Sequence, residues 1–295
     1  MGFSISFGEV LGLLCAFAWA LNSLIVRTQS QAIPPVMMNG IRCLVATAFF
    51  WVLLPFGPPL SSYDQVTGQE WALLLGGLVI GMAIGETLYL AALKEIGVSR
   101  TMALTGTVPL ATLFFEWALL QHPFSRRFFL GICLVGLGVV CLSDRGRPAS
   151  GERPIRLALG VFLALSACLL WGLGTVMLKP AITHMTSVQA NSIRLPLAAL
   201  VLFLARSWTG PVVRIRDIDR RALFIVAVSG IIGMGIGSML YVMAIARIGP
   251  AKMATLGSVS PVFGLVMAVI FLKEKVTLRL VMGVGLCVVG VWLVL

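Results

Sequence analysis

The sequence predicts an all-α integral membrane protein with ten transmembrane helices in two inverted-topology five-helix repeats. Three observations carry that expectation: ten apolar runs of bilayer-spanning length, a gapless likeness between the two halves, and an odd number of runs in each half. Of the 295 residues, 59% are hydrophobic and 11% charged, where a soluble domain carries roughly 25% charged residues. Mean hydropathy is +1.02. A chain this apolar cannot cover a water-facing surface with polar groups, so its solvent is lipid.

A bilayer core needs about 20 apolar residues per helix. Runs that satisfy this fall at 8–26, 33–54, 71–93, 101–120, 126–143, 157–178, 185–205, 222–245, 251–272 and 278–295. They read as helices because backbone in lipid must satisfy its own hydrogen bonds. The roughly ten-residue alternating segments of a membrane barrel are absent from the sequence. Charges and turn formers gather between runs, at Pro55 to Glu70, Asp144 to Arg156 and Arg206 to Arg221.

A shift of 152 residues, the spacing of Trp19 and Trp171, aligns the halves. Arg27 then meets Lys179, and Asn39-Gly40-Ile41-Arg42 meets Asn191-Ser192-Ile193-Arg194. The stretch Gly81 to Gly97 meets Gly233 to Gly249, and Pro109 meets Pro261. Shared apolar residues could be coincidence; shared Trp, Asn, Arg, Tyr and Pro at one offset are not. The expected units are 1–145 and 153–295. Five spans per unit force the second to enter the membrane in the opposite sense, an architecture of secondary transporters with a midplane substrate site.

These residues carry a family resemblance. The chain resembles the drug/metabolite transporter superfamily in its ten-helix EamA-type branch. The likeness rests on Trp19 and Trp171, each followed by a basic residue, on Arg42 and Arg194, and on Gly-rich third helices ending at Tyr89 and Tyr241. It rests also on the fourth-helix Pro109 and Pro261, and on Glu274 after the second unit's fourth helix, where the first unit has His122. The resemblance implies a multi-pass protein of a bacterial-type cytoplasmic (inner) membrane. It implies export or exchange of a small organic metabolite or drug. Relatives move amino acids, sugars, nucleotide sugars, drugs or lipid-linked sugars, so substrate identity is left open. The alternative is a flippase for an amphipathic lipid-linked molecule; remoter ones are an intramembrane enzyme or a receptor.

The main functional signal is charge inside spans, which costs about 2.5–3.5 kcal/mol per residue near the bilayer centre on insertion scales. Arg42 and Arg194 fall near the middle of spans two and seven, Glu86 just past the middle of span three, and Glu116 toward the end of span four. Glu86 aligns with Ser238 and Glu116 with Ala268, so both acids belong to the first unit alone. Glu86 is expected to neutralise Arg42, or to bind a substrate amine or carry a coupled proton. Arg194 is expected to pair with Glu116, to face an anionic substrate, or to snorkel to the interface. Trp19, Asn22, Tyr89, Trp171 and Tyr241 are cavity candidates that packing would also explain.

Gly77, Gly81 and Gly85, with Ser229, Gly233 and Gly237, form stripes spaced by four on which another helix can pack closely or slide. Leu at Gly81 or Gly233 is expected to cost folding or activity. Pro109 and Pro261 are expected to kink spans four and nine, freeing a carbonyl for packing or ligand contact.

The net charge of +11 lies between apolar runs and suits loops beside anionic headgroups better than nucleic acid. By the positive-inside rule the richer loops place both termini outside, whereas relatives of the resembled family have both termini in the cytoplasm. The six cysteines lie in or beside apolar runs without metal-ligand spacing and read as packing residues. His122 and His184, near span ends, read as solvated. No metal, cofactor or nucleotide motif is present, which leaves a proton gradient or exchange as the driving force. The expected partners are a small-molecule substrate, the lipid bilayer and protons, with a monomer as the simplest state. The N-terminus lacks a basic region before its first apolar run, so no cleaved signal peptide is expected, and a formal myristoylation pattern at Gly2 is redundant among many spans.

Overall fold

The computed structural model describes residues 5–27, 33, 35–142, 157–209, 218–260, 262–264, 266–267 and 278–295. Pro261 and Glu274 lie outside the described residues. The first repeat comprises α1 (Phe7–Arg27), α2 (Pro35–Leu53), α3 (Gly68–Gly77), a π-helical stretch (Leu78–Gly85), α4 (Glu86–Thr105), α5 (Val108–Leu120) and α6 (Arg126–Leu142). The second comprises α7 (Leu157–Ala181), α8 (Ser187–Thr209), α9 (Arg220–Ser229), a second π-helical stretch (Gly230–Gly237), α10 (Ser238–Ile248), α11 (Pro250–Gly257) and α12 (Leu278–Val294). Five described stretches are long and apolar enough to cross a bilayer: Val36–Phe56, Gly68–Tyr89, Leu157–Ala181, Ser187–Leu204 and Arg220–Ile248. Phe17, Leu44, Phe114, Phe162, Leu200 and Phe224 are exposed along the helices of the bundle, as expected where lipid is the solvent.

Local chemistry fixes the helix starts. Thr67 and Glu70 form a reciprocal capping box at the head of α3, which satisfies two otherwise orphaned N–H groups. Asp219 accepts from the backbone N–H of Arg221 and Ala222 to open α9. Gly249, with φ of 83°, turns the chain into Pro250 and α11; a side chain would be strained there.

The third span of each repeat is not a uniform α-helix. Its middle is π-helical at equivalent positions, LVIGMAIG and GIIGMGIG. Such stretches are rare and concentrate at functional sites. Here both end where the candidate site begins, at Glu86 and Ser238.

Spans three and four of the first repeat reverse direction within α4. Gly81 lies against Gly174, Gly85 against Trp171 and Ile96 against Gly160, so the chain runs antiparallel to α7. The Leu104 carbonyl then meets the Cys168 thiol at 3.6 Å and Ala111 meets Gly172, so the chain has turned to run parallel to α7. The reversal falls between Ile96 and Leu104, in keeping with the boundary expected between 93 and 101.

The kink expected at Pro109 is a break. α4 ends at Thr105 and α5 begins at Val108, with Pro109 in its first turn, where a missing N–H costs no helical bond. At the break the Leu104 carbonyl accepts from the Thr107 backbone N–H (3.0 Å), the Thr107 hydroxyl (2.7 Å) and the Cys168 thiol. In the second repeat α11 stops before Ser258, the position equivalent to Gly106.

The end bearing both termini is sealed. Leu11 and Cys15 of α1, Leu74 of α3, Leu178 of α7, Ala190 of α8 and Ile245 of α10 share one buried cluster. The segment after α2 plugs it: the Tyr63 hydroxyl donates to the Gln189 carbonyl (3.3 Å), and Gln189 Nε2 donates to Ser62 Oγ (2.6 Å). Three first-repeat acids clamp the same end. Glu9 pairs with Lys252. Glu70 Oε1 meets His184 Nδ1 at 2.9 Å and accepts its backbone N–H at 3.2 Å. Glu116 accepts the Ala251 N–H at 2.6 Å and meets His122 Nδ1 at 3.1 Å. Both histidines are thus partly exposed but paired, rather than merely solvated.

Candidate functional site

The site is built where the two repeats meet at mid-span. An arginine in lipid must find hydrogen-bond acceptors, and Arg42 finds two. Its Nη1 donates to Asn39 Oδ1 at 2.6 Å, one turn earlier on α2, and its Nη2 to Asn22 Oδ1 on α1 at 3.0 Å. Gly233 of the second repeat covers this pair closely: a Cβ there would lie 2.6 Å from Asn22 Cγ and 3.0 Å from Arg42 Nη2. The Nε of Arg42 is buried without a hydrogen-bond partner among the described residues.

Arg194 is held differently. Its Nη1 reaches Asn191 Oδ1 at 3.3 Å, beyond the 2.7–3.2 Å range of good N–H···O bonds. Asn191 is occupied by Ser238, accepting its hydroxyl at 2.9 Å and donating to its carbonyl at 3.3 Å. The position equivalent to Asn22 is Gly174, which supplies no side-chain acceptor and lets Gly77 approach its carbonyl. Pairing of Arg194 with Glu116 does not form, because Glu116 is engaged at the sealed end.

Glu86 opens α4 and is half-buried. No hydrogen bond or ion pair joins Glu86 to any partner among the described residues. The equivalent Ser238 bonds to Asn191, but Asn39 already accepts from Arg42. The expected Arg42–Glu86 pair is not a formed ion pair among the described residues.

The four aromatic candidates assemble into two crossed pairs. Trp19 lies against Tyr241 with ring centroids 5.4 Å apart, and Trp171 against Tyr89 at 5.1 Å. Each pair joins opposite repeats, as an internal two-fold requires. Gly237 and Gly85 admit the indoles, since a Cβ on either would sit 2.9 Å from the Trp Cδ1. The Tyr241 hydroxyl donates to Thr175 Oγ1 at 2.8 Å, and Thr175 in turn donates to the Trp171 carbonyl at 2.8 Å. Gly81 is less tightly packed and leaves room for a methyl group: a Cβ there would be 3.7 Å from Gly174 Cα.

Sequence reasoning singles out Trp19, Asn22, Arg42, Glu86, Tyr89, Trp171, Arg194 and Tyr241; the structure joins Asn22 to Arg42, Trp19 to Tyr241 and Trp171 to Tyr89, sets Arg194 against Asn191, and gives Glu86 no hydrogen-bond partner among the described residues. It passes over Asn39, Asn191, Thr175 and Ser238. The signal for the asparagines is present in the sequence, since both stand one turn before an arginine in both repeats, within i,i+3 reach. An apolar crevice lined by Leu78, Met82, Ala83, Ala198, Val201 and Leu202 holds no charged group.

Two inverted five-helix repeats around a charged, aromatic midplane define a membrane transporter of the inverted-repeat class. The chain belongs to the EamA-like transporter family, whose model matches it twice, over residues 6–144 and 158–295. Over 286 residues it is 26% identical to an uncharacterized transporter of Archaeoglobus fulgidus, covering 97% of each chain. Over 302 residues it is 28% identical to a probable amino-acid metabolite efflux pump of Escherichia coli, covering 96% of this chain and 93% of that one. A solved crystal structure shares the fold with a TM-score of 0.81 at 18% identity, covering 98% of this chain and 96% of the other.

Proposed function

We propose that this protein is a secondary transporter that exports or exchanges a small organic metabolite or drug through a central cavity, by alternating access. The moving units are residues 1–145 and 153–295, and the driving force is a proton gradient or solute exchange. The observation that carries this reading is the pair of crossed Trp–Tyr contacts at the midplane, related by the internal two-fold and flanked by Arg42, Arg194 and Glu86. Inverted repeats supply two states of one fold, with either end sealed; the buried cluster around Cys15 and Leu74 supports one of them. The metabolite-efflux name of the Escherichia coli relative agrees in direction and substrate size.

The test is flux across liposomes by purified protein, using labelled metabolites with and without a pH gradient. Saturable uptake or counterflow is expected, lost in Trp19→Ala together with Trp171→Ala. Absence of flux for every compound in a broad panel of small metabolites and drugs overturns the reading.

A further inference from the structure

One hydroxyl ties the two crossed aromatic pairs to each other. Thr175 of α7 has its Oγ1 2.8 Å from the Trp171 carbonyl, one turn earlier, and 2.8 Å from the Tyr241 hydroxyl on α10. A threonine hydroxyl carries a single proton. The carbonyl can only accept, so that proton goes to Trp171, and Thr175 can only accept from Tyr241. The phenol proton of Tyr241 is thereby committed to α7.

The tie acts where the two repeats touch. Tyr241 lies on Trp19 and Trp171 on Tyr89, so Thr175 connects the second-repeat partner of each contact. Tyr241 follows the second π-helical stretch by one turn, as Tyr89 follows the first. The neighbouring Gly174 packs α7 on the third span of the first repeat: a Cβ there would lie 2.9 Å from the Gly77 carbonyl oxygen and 3.2 Å from Gly81 Cα. α7 is thus held between the third spans of both repeats, and Thr175 supplies a side-chain bond to the second. In the sequence, hydroxyl, Trp and Tyr recur together at the repeat offset, as Ser23, Trp19 and Tyr89.

Resting on the transporter reading, we propose that Thr175 is a positioning residue for the conformational step. Its hydroxyl holds the Tyr241 ring on Trp19 and fastens it to the backbone of Trp171, so both cross-repeat contacts give way together when one repeat rocks against the other. Valine at this position cannot accept the phenol proton, whereas water can do so once the contact opens. A buried donor left without its partner is costly, so the Trp19 contact then opens more readily on its own. Cys15 reports that opening. It stands one turn before Trp19 on α1, is fully buried, and donates its thiol at 3.3 Å to the Gly237 carbonyl, one turn before Tyr241.

The experiment has two readings on the full chain in detergent. The first is the Raman doublet of Tyr241, isolated as the difference between spectra with and without Tyr241→Phe; its higher-frequency component is the weaker one when the phenol donates strongly. That pattern is expected in the unaltered protein and in Thr175→Ser, and its loss in Thr175→Val. The second is N-ethylmaleimide labelling of Cys15, located by peptide mass spectrometry. Thr175→Val should label about tenfold faster than the unaltered protein, the equivalent of about 1.4 kcal/mol, and Thr175→Ser should restore the slow rate. A doublet or a labelling rate unmoved by Thr175→Val, or a failure of serine to rescue either, overturns the proposal. If Thr175→Val elutes aggregated, the unaltered protein decides: a donating Tyr241 supports the tie and a non-donating one overturns it. Neither reading needs solute, so a liposome panel without flux removes the transport role, while the tie stands or falls on these two measurements.

Discussion

At the residue scale, the fate of each buried charge depends on its neighbours rather than on its type. Arg42 is anchored by Asn22 and Asn39, so Asn22→Ala strands one guanidinium nitrogen. Loss of a partner from a buried polar group costs about 1–3 kcal/mol; the variant should melt earlier in detergent, by thermal unfolding monitored on tryptophan fluorescence. The small-residue stripes are similarly unequal. Gly233→Ala drives a methyl to 2.6 Å from Asn22 Cγ, whereas Gly81→Ala meets nothing closer than 3.7 Å. Overpacking costs about 1–3 kcal/mol, so Gly233→Ala should lose monodisperse yield on size exclusion while Gly81→Ala retains it. Sequence reasoning treats the two glycines alike because they align. Alignment alone does not reveal that their partners are Asn22 in one case and Gly174 in the other, although that difference is itself written at the aligned positions.

At the element scale, the ten spans are legible because lipid demands long apolar runs, and the repeat is legible because rare residues recur at one offset. The π-helical middles of the third spans are not, since their composition suits an α-helix equally well. The fourth span of the first repeat reads in sequence as a proline kink; the chain instead starts a new helix at Val108, with Pro109 tolerated in its first turn. The role of Glu116 also lies at this scale. It caps α11 by accepting the Ala251 N–H, and loss of such a cap costs about 0.5–2 kcal/mol. Glu116→Ala should therefore lower the melting temperature without changing which of several substrates is preferred, as measured by competition in the liposome assay. A shift in preference would place Glu116 in the binding site instead.

At the scale of the whole molecule, the two repeats give the fold its two-fold character, but the carboxylate contacts at the sealed end do not obey it. Glu9, Glu70 and Glu116 reach across to Lys252, His184 and Ala251 of the second repeat. Their aligned positions are Val161, Ala222 and Ala268, none of which carries a carboxylate. A transporter made of identical halves would populate its two orientations equally. Under the proposed alternating access, each clamp must break whenever the end carrying the termini opens. Three contacts of about 1 kcal/mol apiece would favour closure of this end more than a hundredfold over the same end without them. Under the proposed alternating access, solute would have to supply the differential affinity that opens this end. Glu70→Ala should relax it, exposing Cys15, now fully buried, to a maleimide more rapidly than in the unaltered protein. Directionality in this chain would then be a property of three carboxylates far from the solute, set before any solute arrives.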